Sequence, residues 1–194
     1  TGAHTDELDL GVSLPPFEVR GETVITATLD TAEQERLAGL PSVLARLHDG
    51  PYADLYQVPP TPYPDGTVRL KLGATRREYR RVDTGADRRA WMRGDEHRAE
   101  HDDLRALIEA LNPGLRAEAW ETVPCLITET TSGLPVVDHL AAERAPGLVL
   151  AAGGNGYAAK SANAIGALAA RLVVDGRWTD ADLDASRFSV TANR

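Results

Sequence analysis

The sequence predicts an α+β fold: a mixed or antiparallel sheet with helices in its longer connections, closed by one strand–helix unit. Three observations carry this. Thr67-Val-Arg-Leu-Lys-Leu72 alternates strictly, setting Val68, Leu70 and Leu72 on one face and Arg69 and Lys71 on the other, as a half-buried strand does. A charged helix is expected from Gly94 to Leu111, with Leu104, Leu107, Ile108 and Leu111 as its apolar stripe and Asn112-Pro-Gly114 as its stop. Leu148 to Ala152 reads as a buried strand that passes through glycines into a helix packed by Ile165, Leu168, Ala169 and Leu172.

The other elements follow in order. Pro16 to Leu29 is rich in β-branched residues and reads as a strand after a bend at Gly21. Asp30-Thr-Ala-Glu33 carries helix-start chemistry for a short helix over Gln34 to Leu40, and Pro41-Ser42 starts a second with Val43, Leu44 and Leu47 on one face. Tyr56-Gln-Val-Pro-Pro60 reads as a strand ending at its prolines. Tyr63-Pro-Asp-Gly66 is a turn, since Pro presets φ and Gly accepts a positive one. Strand character returns over Ala117 to Thr128 and over Leu134 to Asp138, and the polar tail from Thr179 to Arg194 is expected on the surface.

With 194 residues and a net charge of −8, the chain is long enough for one sizeable core, and wholesale attraction to nucleic acid or an anionic membrane is excluded. Its one cysteine, Cys125, rules out an internal disulfide framework and suits a reducing, cytoplasmic setting. No apolar run reaches bilayer length, and TGAHTDELDLG has neither the basic head nor the apolar core of a signal peptide. The start at Thr1 rather than Met reads as a processed, truncated or partial chain.

Three short motifs invite chemical readings. Gly154-Asn-Gly156-Tyr-Ala-Ala159 fits the G-x-G-x-x-A form of a dinucleotide fingerprint, but that motif needs a second parallel strand and an acidic residue about 20 positions on. The residues after Gly156 are used by a helix and a polar tail. What remains is a strand, a glycine-rich turn and a helix start, where backbone N–H groups and the helix dipole favour negative charge; the plainer alternative is a tight, closely packed connection. His97-Arg-Ala-Glu-His101 matches the H-x-x-E-H form of zinc hydrolases, yet its surroundings are charged on all sides, as on a solvated helix start, and no metal is expected. Thr75-Arg-Arg-Glu-Tyr-Arg-Arg81 is basic with an interleaved aromatic, which in an acidic chain reads as a solvated strand or loop.

Taken together, Arg69-Leu-Lys-Leu-Gly73, Val123-Pro-Cys-Leu-Ile-Thr128 and Leu148 to Gly166 resemble the C-terminal half of the D-amino-acid-oxidase-type FAD-dependent oxidoreductases, especially the branch of monomeric sarcosine oxidase and N-methyl-amino-acid oxidases. Trp120, Cys125, Asp138 and Lys160 follow in that branch's order with similar spacing, and Gly2-Ala-His-Thr5 is similar to its A-G-A-W segment. The resemblance implies FAD, attached through a thioether at Cys125, and Lys71 over the flavin as the cation that assists oxygen activation. It further implies that Lys160 and the turn Gly153, Gly154, Asn155, Gly156 and Tyr157 line the flavin and the substrate carboxylate, and that Tyr56 faces the substrate. Thr75 stands where the branch carries a substrate-site histidine, so the resemblance does not fix the specific substrate.

The division that follows is a flavin-domain segment over 1–15, a substrate-binding domain over 16–130, and a C-terminal flavin-domain segment with its tail over 131–194. The family's N-terminal dinucleotide half is missing. The expectation is therefore one piece of a split or cleaved enzyme whose N-terminal FAD-binding partner supplies that half. Its substrate would be a small amine or amino acid, oxidised by hydride transfer to FAD with reoxidation by oxygen. A non-catalytic binding or scaffold subunit that keeps the flavoprotein fold is the alternative.

Overall fold

A computed structural model describes residues 2–140 and 147–193. Thr1 and the terminal Arg194 lie outside the described residues. The chain divides into two compact units, one built from 21–82 with 86–126, the other from the segments up to residue 20, 83–85 and from 127 onward.

The first unit is a mixed α/β structure around an antiparallel sheet. Its strands are β1 (Phe17–Thr28), β2 (Val43–Arg46), β3 (Tyr52–Pro62), β4 (Val68–Arg76), the short β5 (Arg80–Arg81) and β6 (Ala119–Thr130), ordered β2-β3-β4-β1-β5 with β6 also paired to β1. The β3–β4 hairpin closes through the expected turn, with the Gly66 N–H donating to Tyr63 O at 3.0 Å and Gly66 at φ +84. The register sets Val24 against Gly73 on β1–β4 and Tyr56 against Gly73 on β3–β4.

Alternation sorts the side chains into two faces. Ile25, Ala27, Leu55, Leu70, Leu72 and Ala74 form the core with Leu104 and Ile108 of α3 (His101–Leu111) and Leu37 of α1 (Thr31–Leu37). Each buried leucine or isoleucine among them contributes about 1.5–3 kcal/mol. A buried amide pair closes the core at the end of α3: Asn112 donates to Gln57 Oε1 at 2.6 Å and to Ile108 O at 2.7 Å.

Several expectations need correction. Gly21 marks no bend; β1 runs straight through it, and the Trp91 ring lies on its backbone, 2.7 Å from where a Cβ would stand. Val43 to Arg46 is a strand, because pairing with β3 supplies backbone partners that four residues of helix could not. β3 continues past Pro59 and Pro60 through a register shift between Val58 and Thr61, where the missing donors are tolerated. A helix α2 (Gly85–Arg93) arises where none is expected, and the charged segment after Gly94 is a 3-10 stretch, Glu96–Glu100, before α3. Leu111 is 38% exposed and leaves the packed stripe.

α1 begins as its sequence indicates: the Asp30 side chain accepts from the Glu33 N–H at 2.7 Å. Glu33 is fully buried, ion-paired to Arg36 and accepting from the Arg116 N–H at 3.2 Å. The Arg36 hydrogen bond leads in holding its carboxyl at about 2, against the opposing effect of burial. A carboxyl depressed in this way stabilises the fold above its ordinary value of 4.5, and that contribution is lost as pH falls from there toward 2. Glu33→Gln is expected to cost about 1–3 kcal/mol at pH 7, the lower end reflecting the partly exposed arginines. The gap in urea midpoints between variant and wild type should shrink as pH falls below 4.5 and close only below about 2; a gap of constant size across that range would exclude the ion pair as its cause.

In the second unit, β7 (Val136–His139) and β8 (Val149–Ala152) form an antiparallel pair, and α4 (Ala162–Asp175) packs Leu168 and Leu172 onto Val137. β8 is less buried than expected, since only Leu150 is buried and Ala151 is exposed. The tail is also not simply superficial. Val190 joins Val136, Leu140 and Leu150 in a core, and buried Asn193 accepts from the Ser132 N–H at 3.0 Å. Among the described residues, no helix is long and apolar enough to cross a membrane.

Candidate active site

Several of the sequence-predicted site residues lie on the sheet face opposite the core of the first unit. Tyr56, Lys71, Thr75, Glu22 and Cys125 are all half-buried there. Gly73 makes the arrangement possible. A Cβ at 73 would lie 2.4 Å from Tyr56 Cε1 and 2.7 Å from its hydroxyl oxygen, so the phenol ring lies flat on the β4 backbone. Lys71, two residues earlier on the same face, holds its Nζ 5.5 Å from the Tyr56 ring centroid. Among the described residues Lys71 has no carboxylate within ion-pair distance. Thr75, two residues later, donates from Oγ1 to Glu22 Oε1 at 2.9 Å.

Cys125 enters from β6. The Trp91 indole N–H donates to its carbonyl at 3.0 Å, and the ring rests on Gly21, so one side chain fixes β1 and β6 together. Burial pushes the Cys125 thiol up, the Lys71 cation works against this, and Glu22 adds to it. Tyr56 is pushed up to about 12, chiefly by burial and then by negative charge at Cys125, Glu22 and Tyr63. The phenol is therefore a hydrogen-bond donor at neutral pH, and the thiol is protonated. A cation, a phenol, a thiol and a carboxylate on one face can orient a polar ligand and stabilise negative charge that develops near Lys71.

Of the sequence-predicted site residues, the structure brings Lys71, Tyr56 and Cys125 onto one face. Gly153, Gly154, Asn155, Gly156, Tyr157 and Lys160 lie in the other unit and form one loop. Gly153 has a packing cause for its identity: at φ +74, a Cβ would lie 2.1 Å from Thr130 Cγ2. Asn155, itself at φ 51, spends its side chain on the loop, donating to Gly153 O at 2.7 Å and accepting from the Thr130 N–H at 2.9 Å. Among the described residues the Gly154 and Gly156 N–H groups have no acceptor. Tyr157 is 65% exposed, with Lys160 Nζ 5.6 Å from its ring centroid. The helix begins later than expected, after a 3-10 turn over Ala158–Ser161.

Glu22 and Trp91 escape the sequence reading, because neither sits in a motif and each is identified by its partner across the sheet. The H-x-x-E-H residues do not converge on a metal. Glu100 accepts from Thr23 at 2.9 Å and from Tyr52 at 3.1 Å, while His97 is buried edge-on to Trp91 and His101 meets Asp102. No metal-binding cluster exists among the described residues. An open cavity of about 520 Å³ lined by Arg98, His101, Asp102, Trp120, Glu121 and Thr122 holds none of the predicted site residues.

The model of the family "DAO: FAD dependent oxidoreductase" matches residues 1–172. Among solved structures, the open form of NikD, an unusual amino acid oxidase essential for nikkomycin biosynthesis, aligns at 20% identity with a TM-score of 0.62, covering 96% of this chain and 45% of NikD. A thermally stable mutant of fructosyl peptide oxidase aligns at 15% identity with a TM-score of 0.60, covering 90% of this chain and 40% of its own. The chain thus spans less than half the length of these neighbours, and at such identities the likeness is one of fold. No curated protein matches the sequence.

Proposed function

The chain belongs to the DAO family of FAD-dependent oxidoreductases, and on that premise we propose that it oxidises a secondary or tertiary amine, or an amino acid, with oxygen as the final acceptor. The observation that carries this reading is the meeting of Lys71, Tyr56 and Cys125 on one half-buried sheet face. FAD would supply the two-electron acceptor chemistry, taking a hydride from the carbon next to nitrogen.

The donor set suits such a ring. A lysine with no carboxylate partner among the described residues stands beside a thiol that can be alkylated, and an aromatic ring floors the space between Lys71 and Thr75. The chain has two lysines among its 21 basic residues, Lys71 and Lys160, and both fall at positions the resemblance marks. Lys71 keeps a fixed positive charge where negative charge accumulates during reoxidation. Tyr56 donates a hydrogen bond to the substrate, and Cys125 is the attachment point. In the other unit, the Gly154 and Gly156 amides and Lys160 bind negative charge on the cofactor or the substrate carboxylate.

A companion segment or subunit supplies the dinucleotide half, a reading supported by the chain's coverage of less than half of its structural neighbours. The test is anaerobic mixing of flavin-loaded protein with a panel of N-methyl amines and amino acids. Bleaching of the flavin band by at least one, and its return on admitting oxygen, is the expected result. Protein that carries no flavin even with its companion present would sink the reading.

A further inference from the structure

Trp91 has no part in the chemistry assigned above, yet it is tied to the residue on which flavin attachment depends. It lies on α2, is 5% exposed, and its indole N–H donates to the Cys125 carbonyl at 3.0 Å. Three neighbours hold the ring in that orientation. Gly21 of β1 lies against its face: a Cβ there would stand 2.7 Å from Cε2 and 2.9 Å from Cδ2, so a side chain at 21 would push the ring away. Buried His97 meets the ring edge-on, with centroids 6.5 Å apart and planes at 72°, and the Arg80 guanidinium carbon lies 5.8 Å from the ring centroid. The indole bond falls where β6 is short of a donor, because Pro124, the residue before Cys125, has no N–H to give to the ladder.

We propose that Trp91 is a positioning residue for Cys125: its indole N–H, with the ring seated on Gly21, fixes the main chain from which the thiol reaches the flavin ring. The inference rests on Cys125 as the attachment point and deepens that reading. Attachment exchanges the Cys125 S–H bond and one C–H bond of the ring's 8α-methyl group for an S–C bond. The electron pair passes to the flavin and on to oxygen, and with the two protons it leaves as hydrogen peroxide. Such a step needs the sulfur held about 3–3.5 Å from the carbon it attacks, and a misplacement of about 1 Å can cost about 10²-fold in rate. A half-buried thiol beside a proline in its strand lacks one ladder bond to hold it there, and the indole supplies a bond through the cysteine's own carbonyl.

The test uses the full chain with its companion, produced under riboflavin limitation so that Cys125 is unmodified. FAD is added in air, and samples denatured in acid over time are scored for flavin that stays with the polypeptide. Trp91 is replaced by benzothienylalanine, whose sulfur takes the place of the N–H in a ring of the same shape, and separately by Trp91→Phe. Both should slow attachment about 10–100-fold, while FAD affinity, measured by flavin fluorescence in a Cys125→Ser background, stays unchanged. A second readout needs no flavin: Cys125 is the chain's one cysteine, so alkylation by iodoacetamide reports on it alone. Alkylation should be as fast as in wild type or faster, because a freed strand exposes the thiol more. Attachment at the wild-type rate in both variants would overturn the assignment, as would a loss of FAD affinity or a slowing of alkylation that matches the slowing of attachment. Wild type that releases its flavin in acid would remove the attachment point and this proposal together, leaving amine oxidation to be judged by flavin bleaching.

Discussion

Cys125→Ser is expected to release all flavin on acid denaturation, whereas wild type keeps its flavin absorbance with the polypeptide. The effect is all or none, because a serine hydroxyl forms no thioether under conditions that alkylate a thiol. The setting supports this. The Cys125 backbone is fixed by the Trp91 indole, and its thiol is half-buried with Lys71 as the one favourable charge acting on it. Burial keeps the thiol protonated, so attachment should be slow and should speed up at alkaline pH. Acid release of flavin from wild type would remove the covalent claim and leave the oxidoreductase assignment intact.

Lys71→Met should slow reoxidation of the reduced flavin by oxygen about 10²–10³-fold, the range for removing one preorganised charge-stabilising group. The anaerobic half-reaction should change far less, since hydride transfer to the flavin builds no superoxide-like charge. Stopped-flow measurement of the two half-reactions separates these steps. Methionine keeps the stem's packing on Tyr56 while removing the ammonium. Equal slowing of both halves would point to a disturbed platform instead, and unchanged reoxidation would remove Lys71 from the oxygen step.

Much of this was legible in the sequence where local rules and tertiary context agree. The alternation of Val68 to Leu72 gave the correct faces of β4, because one side meets a continuous core. Asp30 marked α1 because its cap bond is local. Failure came where a partner distant in sequence decides. Val43 to Arg46 is a strand only because β3 lies alongside, and the exposed Leu44 resembles a helix-face residue until that pairing is known. α2 carries charge at Asp87, Arg88, Arg89 and Arg93 and buries Trp91 and Arg88, so it gives little periodicity to read. The site divides in the same way. Lys71 and Cys125 were marked by family spacing, while Glu22 emerges from its place opposite Thr75, a relation between β1 and β4 that no local pattern records.

The two units also differ in how their residues are distributed along the chain, and this bears on the order in which they form during synthesis. The unit holding the Tyr56–Lys71–Cys125 cluster is complete once residue 126 has emerged. Its β3–β4 hairpin closes over a four-residue turn, a short loop that costs little entropy. The other unit joins the segments up to residue 20 to those from 127 onward, so its early segments wait until their core partners Val136, Leu150 and Val190 have been made. Apolar Leu10, Val12, Leu14 and Phe17 are the side chains left uncovered in that interval. Within this stretch, those four side chains are therefore the ones most open to aggregation and chaperone capture during synthesis.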